Sequence, residues 1–356
     1  MLRPLPNYED PAKRRLEAVR AAHEGDLEGL IALLGYHLAH KSGKRTALSA
    51  RTLELYALAV RDFFRYLWPE GAPGPRVPLL QVTPDHIDAW LADLLAHGGH
   101  TVPPEERRPL KPSTAASYLA GIRALYRALK WAGAVRENPT LEVRPPKDPT
   151  PRHERRPALP QTLYRRLLNL IQKGGKELQE AEYKRFRDLL ILRLMGEVGL
   201  RISEVEGLNV EDFDPVEEEL HIQRGKGGKA RTVPLPPDLA EGLQAWLKVR
   251  TLHAAPGEKA LFINLGGRKA HGRRLRAWTI RKELSEALRA LEAPRRYYGP
   301  HSLRHLAGTR LYQATGDLYL VATLLGHADV STSQIYAKMD RSRLKEAVRN
   351  LYGKKP

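Results

Sequence analysis

The stretch HSLRHLAGTRLYQATGDLYLVATLLGHADVSTSQIY, residues 301–336, combines two short helical patterns with two His-containing clusters and a terminal tyrosine. Residues 302–314 and 319–325 read as helices. His301 and His305 are four apart and would share a helix face. That spacing could suit a metal, but three features oppose it: no Glu follows His301 as a zincin motif requires, Arg304 stands between the two, and the chain has no cysteine. A buried, hydrogen-bonded side chain is the reading for His305.

Working outward toward the N-terminus, LHIQR, GKGGK and ARTVPL over 220–235 read as two short strands joined by a glycine-rich turn. GKGGK is not a phosphate-cradling P-loop, because no Ser or Thr follows a Gly-Lys pair. Before it, GLRISE (199–204) follows a buried helix over 186–198, and residues 237–251 and 276–291 also read as helices. The stretch from Pro139 to Pro160 holds seven prolines among charges, which cannot continue a helix and should form a stiff, extended connection.

The first half is a small helical bundle. Leu53, Tyr56, Val60, Phe64 and Leu67 recur at helical spacing, as do Tyr118, Ile122, Leu125, Tyr126 and Leu129. Ser49 and Ser113 are the expected N-caps of these two segments. Between them, Ile87, Trp90, Leu91 and Leu94 share one side of a third helix, and residues 97–112 read as an exposed polar loop. The fold class is therefore mainly α with a small β-sheet. The expected divisions are an N-terminal extension (1–30), a helical domain (31–140), a proline-rich linker (141–160) and a second domain (161–356).

Length and charge narrow the function. The 356 residues suit two domains of ordinary size, and 59 basic against 41 acidic side chains give a net charge of +18. Residues 1–150 carry +4 and residues 151–356 carry +14, so the second half carries the signal for a polyanionic partner. Zero cysteines exclude disulfides, thiolate zinc sites, iron–sulfur clusters and a Cys nucleophile. With neither a signal-peptide pattern nor a membrane-length apolar run, the expected location is cytoplasmic.

Taken together and in order, GLRISE, GKGGK, HSLRH and LLGHADVSTSQIY resemble the tyrosine site-specific recombinases, the family of phage integrases and Xer-type enzymes. The resemblance spans nearly the whole chain, down to the ENP at 137–139, and implies a helical core-binding domain of SAM-like type followed by a mixed α/β catalytic domain. Residue by residue, it implies catalytic roles for Arg201, for Lys226 in the hairpin turn, for His301 and Arg304 of the His-x-x-Arg pair, for His327 of LLGH and for Tyr336, the nucleophile nine residues later. No catalytic position is substituted. The departures are the polar loop at 97–112 and Gly308, where the family usually has Ala.

The implied chemistry suits these residue types. Transesterification through a 3′-phosphotyrosyl bond conserves bond energy and calls for no ATP, cofactor or metal. Arginines answer the charge that builds on the phosphate oxygens with planar paired donors. Phosphate contacts on duplex DNA are expected from Arg123 and Arg127 in the first half and from Arg268, Lys269, Arg273, Arg274 and Arg276 (with Arg281 beyond) in the second. The stripe Leu344, Ala347, Val348 and Leu351 implies docking on a neighbour in a homo-tetramer on two DNA sites, with or without a paralogous recombinase. Two other readings stay open: an architectural DNA-binding protein without catalysis, and a type IB topoisomerase-like enzyme.

Overall fold

The computed structural model describes residues 8–41, 50–150, 157–172, 179–223, 230–267 and 269–326, together with Ser333 and Tyr336. Ser49, Lys226, Arg268, His327 and the 344–351 stripe lie outside the described residues. The chain forms two compact units, Met1–Pro149 and Thr150–Pro356.

The first unit is all helical: α1 (Pro11–Glu24), α2 (Leu27–Lys41), α3 (Ala50–Leu67), α4 (Pro84–Ala96) and α5 (Pro112–Trp131). Helix α1 starts where Asp10 accepts the amides of Ala12 and Lys13 at 2.8 and 3.2 Å, with proline at its first position. Leu30, Leu33 and Leu34 of α2 join Phe63, Trp90, Ile122 and Leu129 in one core. Helix α1 buries only alanines and so leaves no apolar stripe in the sequence, whereas α2 sets Leu30, Leu33, Leu34 and Leu38 at helical spacing, a signal the sequence reading passes over. Helix α5 begins one residue before Ser113, with Lys111 in the capping position and proline at the first turn. Ser113 is thus inside the helix, not its cap.

The loop over 97–112 is less open than its polarity suggests. Asp62, wholly buried, takes the Trp90 indole N–H at 3.0 Å and the amides of His100 and Thr101 at 2.5 and 3.3 Å. A buried carboxylate satisfied in this way pins the loop's first turn to α3.

The second unit contains α6 (Gln161–Gln172), α7 (Gln179–Gly196), α8 (Ile202–Gly207), α9 (Pro237–His253), α10 (Ala277–Ala290), α11 (His301–Thr315) and α12 (Leu318–Leu325). Its antiparallel sheet orders β1 (Phe213–Asp214), β2 (Glu219–Ile222) and β3 (Arg231–Pro234), with Phe213 opposite Leu220, Leu220 opposite Val233 and Ile222 opposite Arg231. Leu220, Ile222 and Val233 point into a core that also holds Trp246, Leu194, Leu243 and Leu303. The two-residue strand β1 and the short helix α8 are too brief to leave a periodic signal. Among the described residues, no helix is long and apolar enough to cross a membrane.

Candidate active site

Four pieces of the second unit converge: the turn before α8, the first residue of β3, one face of α11 and the end of α12. The turn is possible because Gly199 has φ +77°, and a Cβ there would lie 2.5 Å from a methyl of Leu325. Arg201 then enters α8 with its backbone N–H donating to Glu204 at 2.8 Å, the reach-back of a helix-capping glutamate.

Glu204 is the hub of the cluster. Its buried carboxylate accepts Arg201 Nη1 at 2.6 Å and Arg231 Nη1 and Nη2 at 2.9 and 3.0 Å, and Arg304 Nη1 lies 3.9 Å away. Burial works against its charge, but the hydrogen bonds from Arg231 and the Arg201 amide, with both guanidiniums, prevail and hold the carboxyl at about 2. Three arginines around one carboxylate leave an excess of positive charge in a small volume, an arrangement suited to an anionic guest.

Arg304, buried on α11, donates Nη1 to the carbonyl of Gly199 and Nη2 to that of Leu325. Burial, then the nearby charge of Arg201, lowers its guanidinium to about 10, which still leaves it cationic at neutral pH. Arg201 Nη2 reaches the carbonyl of Gly326 at 3.5 Å, and Arg231 Nε that of Leu324 at 3.3 Å. Successive carbonyls at the end of α12 thus anchor all three guanidiniums. Lone helix-terminal carbonyls are natural acceptors for cations.

Tyr336 is buried against Val321 and Leu325 of α12. Its hydroxyl lies 3.2 Å from Nδ1 of His305. Burial raises the phenol to about 12 against the opposing pull of Arg304 and Arg201. His301, the first residue of α11, is exposed on the same helix, and His305 is half-buried with the tyrosine hydroxyl beside it. Of the six catalytic positions named from the sequence, the structure brings Arg201, Arg304 and Tyr336 into one electrostatic neighbourhood and puts His301 at the head of the helix that carries Arg304. Lys226 and His327 fall outside the described residues.

Glu204 and Arg231 have no role in the sequence reading, although both stand in quoted segments, GLRISE and ARTVPL. The one signal is the Glu three residues after Arg201, the capping spacing. Beside the cluster opens a cleft of about 750 Å³ lined by Ser203, Glu206, Asn209, Gln223, Arg274 and Arg276 among others. Among the described residues, no group of three or more His, Asp or Glu side chains gathers as metal ligands would.

The arginines named for phosphate contact divide. Arg127, Lys269, Arg273 and Arg276 are exposed, Arg276 with an ion pair to Glu206 at 3.5 Å. Arg274 instead gives Nη1 to the carbonyls of Glu206 and Leu208 at 2.7 and 3.1 Å and Nη2 to Asn209 at 2.6 Å. Arg123 donates to the carbonyls of Thr140 and Val143, next to Asn138, whose Oδ1 accepts from Thr140. The donors of these two arginines named here bind within the fold.

Comparison with known proteins agrees in kind. The family model described as the phage integrase family matches residues 159–343, and that of the phage integrase N-terminal SAM-like domain matches residues 44–133. The chain is 31% identical over 316 residues to the tyrosine recombinase XerC of Agrobacterium fabrum (strain C58 / ATCC 33970), covering 88% of this chain and 92% of that one. It is 39% identical over 235 residues to the tyrosine recombinase XerC of Neisseria gonorrhoeae (strain ATCC 700825 / FA 1090), covering 66% and 71%. In fold it is similar to the XerH site-specific recombinase crystallised in a post-cleavage complex with a palindromic difH substrate, with a TM-score of 0.67 at 21% identity over 98% and 99% of the two chains. A lambda integrase dimer bound to a core site gives 0.61 at 17% identity, over 88% and 78%.

Proposed function

The chain belongs to the phage integrase family and is a tyrosine site-specific recombinase, and from that premise we propose that it cuts and rejoins duplex DNA through a covalent 3′-phosphotyrosyl link to Tyr336. The observation that supports this most is the Glu204-centred set of guanidiniums with Tyr336 beside it. In the cleavage step the Tyr336 oxygen bonds to phosphorus as the bond to the 5′-oxygen breaks. The hydroxyl proton passes to a base, His301, and Lys226 gives a proton to the departing 5′-oxygen. Arg201 and Arg304 take the non-bridging oxygens, where charge builds in the five-coordinate transition state, and His327 donates a further hydrogen bond. Strand joining is the reverse, with a 5′-hydroxyl of the partner strand as nucleophile.

The burial of Glu204 fits this reading. A carboxylate in direct reach of the phosphate would repel it, whereas a buried one fixes Arg201 and Arg231 from behind and leaves the remaining donors to the guest. At neutral pH roughly 0.1% of an ordinary tyrosine is phenolate, so proton removal must coincide with attack.

The proposed partner is double-stranded DNA, held by exposed cations including Arg127, Lys269, Arg273 and Arg276, and the acting form is a homo-tetramer on two sites, with or without a paralogous recombinase. The proposed division is a core-binding domain that ends near 140 and a catalytic domain over 161–356, joined by the proline-rich 141–160; the expected extension over 1–30 is part of the first domain, because Tyr8, Ala18, Ala21, Ala22 and Leu30 share its core. The biological role is Xer-like chromosome dimer resolution, favoured over element integration because the likeness to XerC of A. fabrum runs almost end to end. Sequencing DNA fragments of the source genome trapped on the protein tests this. A single palindrome-like site on the chromosome is the expected result, whereas sites at the ends of a mobile element would assign integration. Relaxation of supercoiled DNA that lacks such a site would instead favour the topoisomerase reading.

A further inference from the structure

Gly308 sits inside α11 with ordinary helical geometry, where glycine costs about 1 kcal/mol relative to alanine. Its reason is space. A Cβ at this position would stand 2.6 and 2.7 Å from Cζ and Cε1 of Tyr336, closer than real side chains come, and a tight 3.0 Å from a methyl of Leu325. The bare backbone of residue 308 is therefore the floor on which the tyrosine ring lies. One turn earlier on the same face, His305 presents Nδ1 at 3.2 Å to the ring's hydroxyl, and Val321 and Leu325 close the sides. Ser333, three residues before the tyrosine, is fully buried too.

This seat is not one from which the reaction can run. Tyr336 is only 1% exposed. A phosphodiester must come within ~3–3.5 Å of the attacking oxygen. We infer that Gly308 and His305 form a resting seat for the nucleophile, so that these two positioning residues set the fraction of molecules whose Tyr336 is available to DNA. The inference rests on Tyr336 being the nucleophile. Weakening the seat raises the available fraction, and the rate of the first covalent step rises by the same factor until that fraction nears one. Alanine at 308 would put its Cβ 2.6 Å from the seated ring, so the ring must shift from this position, which weakens the seat.

The test uses the full chain with 3-fluorotyrosine at position 336 for fluorine NMR, and unlabelled protein for single-turnover adduct formation on nicked fragments of the source genome. In the otherwise wild-type chain the fluorine signal should be insensitive to exchange of H₂O for D₂O. Gly308→Ala should give the solvent sensitivity of an exposed fluorotyrosine together with adduct formation at least threefold faster. His305→Ala should shift both readings in the same direction by less, and His305→Asn, which keeps a polar group near the Nδ1 position, should restore them toward wild type. Should Gly308→Ala lose its cooperative melt, the His305 pair decides on the same two readings. A fluorine signal that stays solvent-insensitive in the variants, or exposure without faster adduct formation, overturns the seat. Tyr336→Phe run in parallel separates the premise: adducts on the Phe protein overturn the nucleophile assignment itself, whereas a silent Phe protein with unaccelerated Gly308→Ala and His305→Ala overturns the seat alone.

Discussion

Both terminal nitrogens of Arg231 close on the carboxylate of Glu204, at 2.9 and 3.0 Å, and so tie the first residue of β3 to α8, the helix that Arg201 caps. The same carboxylate receives Arg201 at 2.6 Å. One buried anion thus sets the position of two cations drawn from separate elements. Removing its charge leaves those cations facing each other with nothing between them.

Glu204→Gln should accordingly lower stability by about 3–5 kcal/mol, the range for breaking a buried ion pair from one side. A thermal melt at neutral pH measures it. The acid limb gives a second reading. The carboxyl titrates at about 2 in the folded chain against 4.5 when unperturbed, so its contribution is complete above pH 4.5 and disappears as pH falls toward 2. At ~1.36 kcal/mol for each pH unit between the two values, this is about 3 kcal/mol. The Gln variant should lose less stability over that window than wild type does.

Arg201→Lys and Arg304→Lys keep a positive charge but lose the planar fork. Each should slow covalent adduct formation by ~10²–10³ while leaving DNA affinity within a fewfold of wild type. Filter binding alongside single-turnover cleavage checks both. A matched fall in affinity and rate would mean these arginines grip DNA generally and do not act on the reacting phosphate.

Arg273 and Arg274 are neighbours with different work. Arg273→Ala should reduce the slope of log K against log [salt] by about 1 and leave the melt unchanged. Arg274→Ala should lower the melting temperature, because it strips donors from the carbonyls of Glu206 and Leu208 and from Asn209. Salt titration of each variant beside calorimetry distinguishes them.

Gly199→Ala should destabilise the chain by roughly 1–3 kcal/mol, from left-handed backbone and from the collision with Leu325. It should also reduce cleavage, because the carbonyl of Gly199 is one of the two that hold Arg304. Circular dichroism and adduct yield on one preparation report both effects.

Much of this is legible in the sequence, and what escapes it does so for physical reasons. Helices with dense apolar spacing, such as the one carrying Tyr118 through Leu129, stand out by period alone. Helix α1 buries only alanines, Ala18, Ala21 and Ala22, and leaves no such stripe. The start of α5 differs from the expected one because proline at the first turn competes with serine as a start signal, and here proline prevails. Arg201, Arg304 and Tyr336 are marked by motif order; Glu204 closes the GLRISE segment, but its spacing reads only as a helix cap, and its place as the partner of Arg231 shows only in the fold. The charge of Arg123 and Arg274 is visible in the sequence, whereas the backbone carbonyls to which they donate are not.

The most direct measurement is the covalent adduct. Wild-type and Tyr336→Phe proteins are incubated, without added metal or ATP, with nicked fragments of the source genome and run on a denaturing gel. A protein–DNA band from wild type alone, with the Phe protein folded and binding DNA in a salt-sensitive manner, is the expected result. An equal band from both proteins, or none from wild type despite tight binding to the fragments, would contradict cleavage through Tyr336.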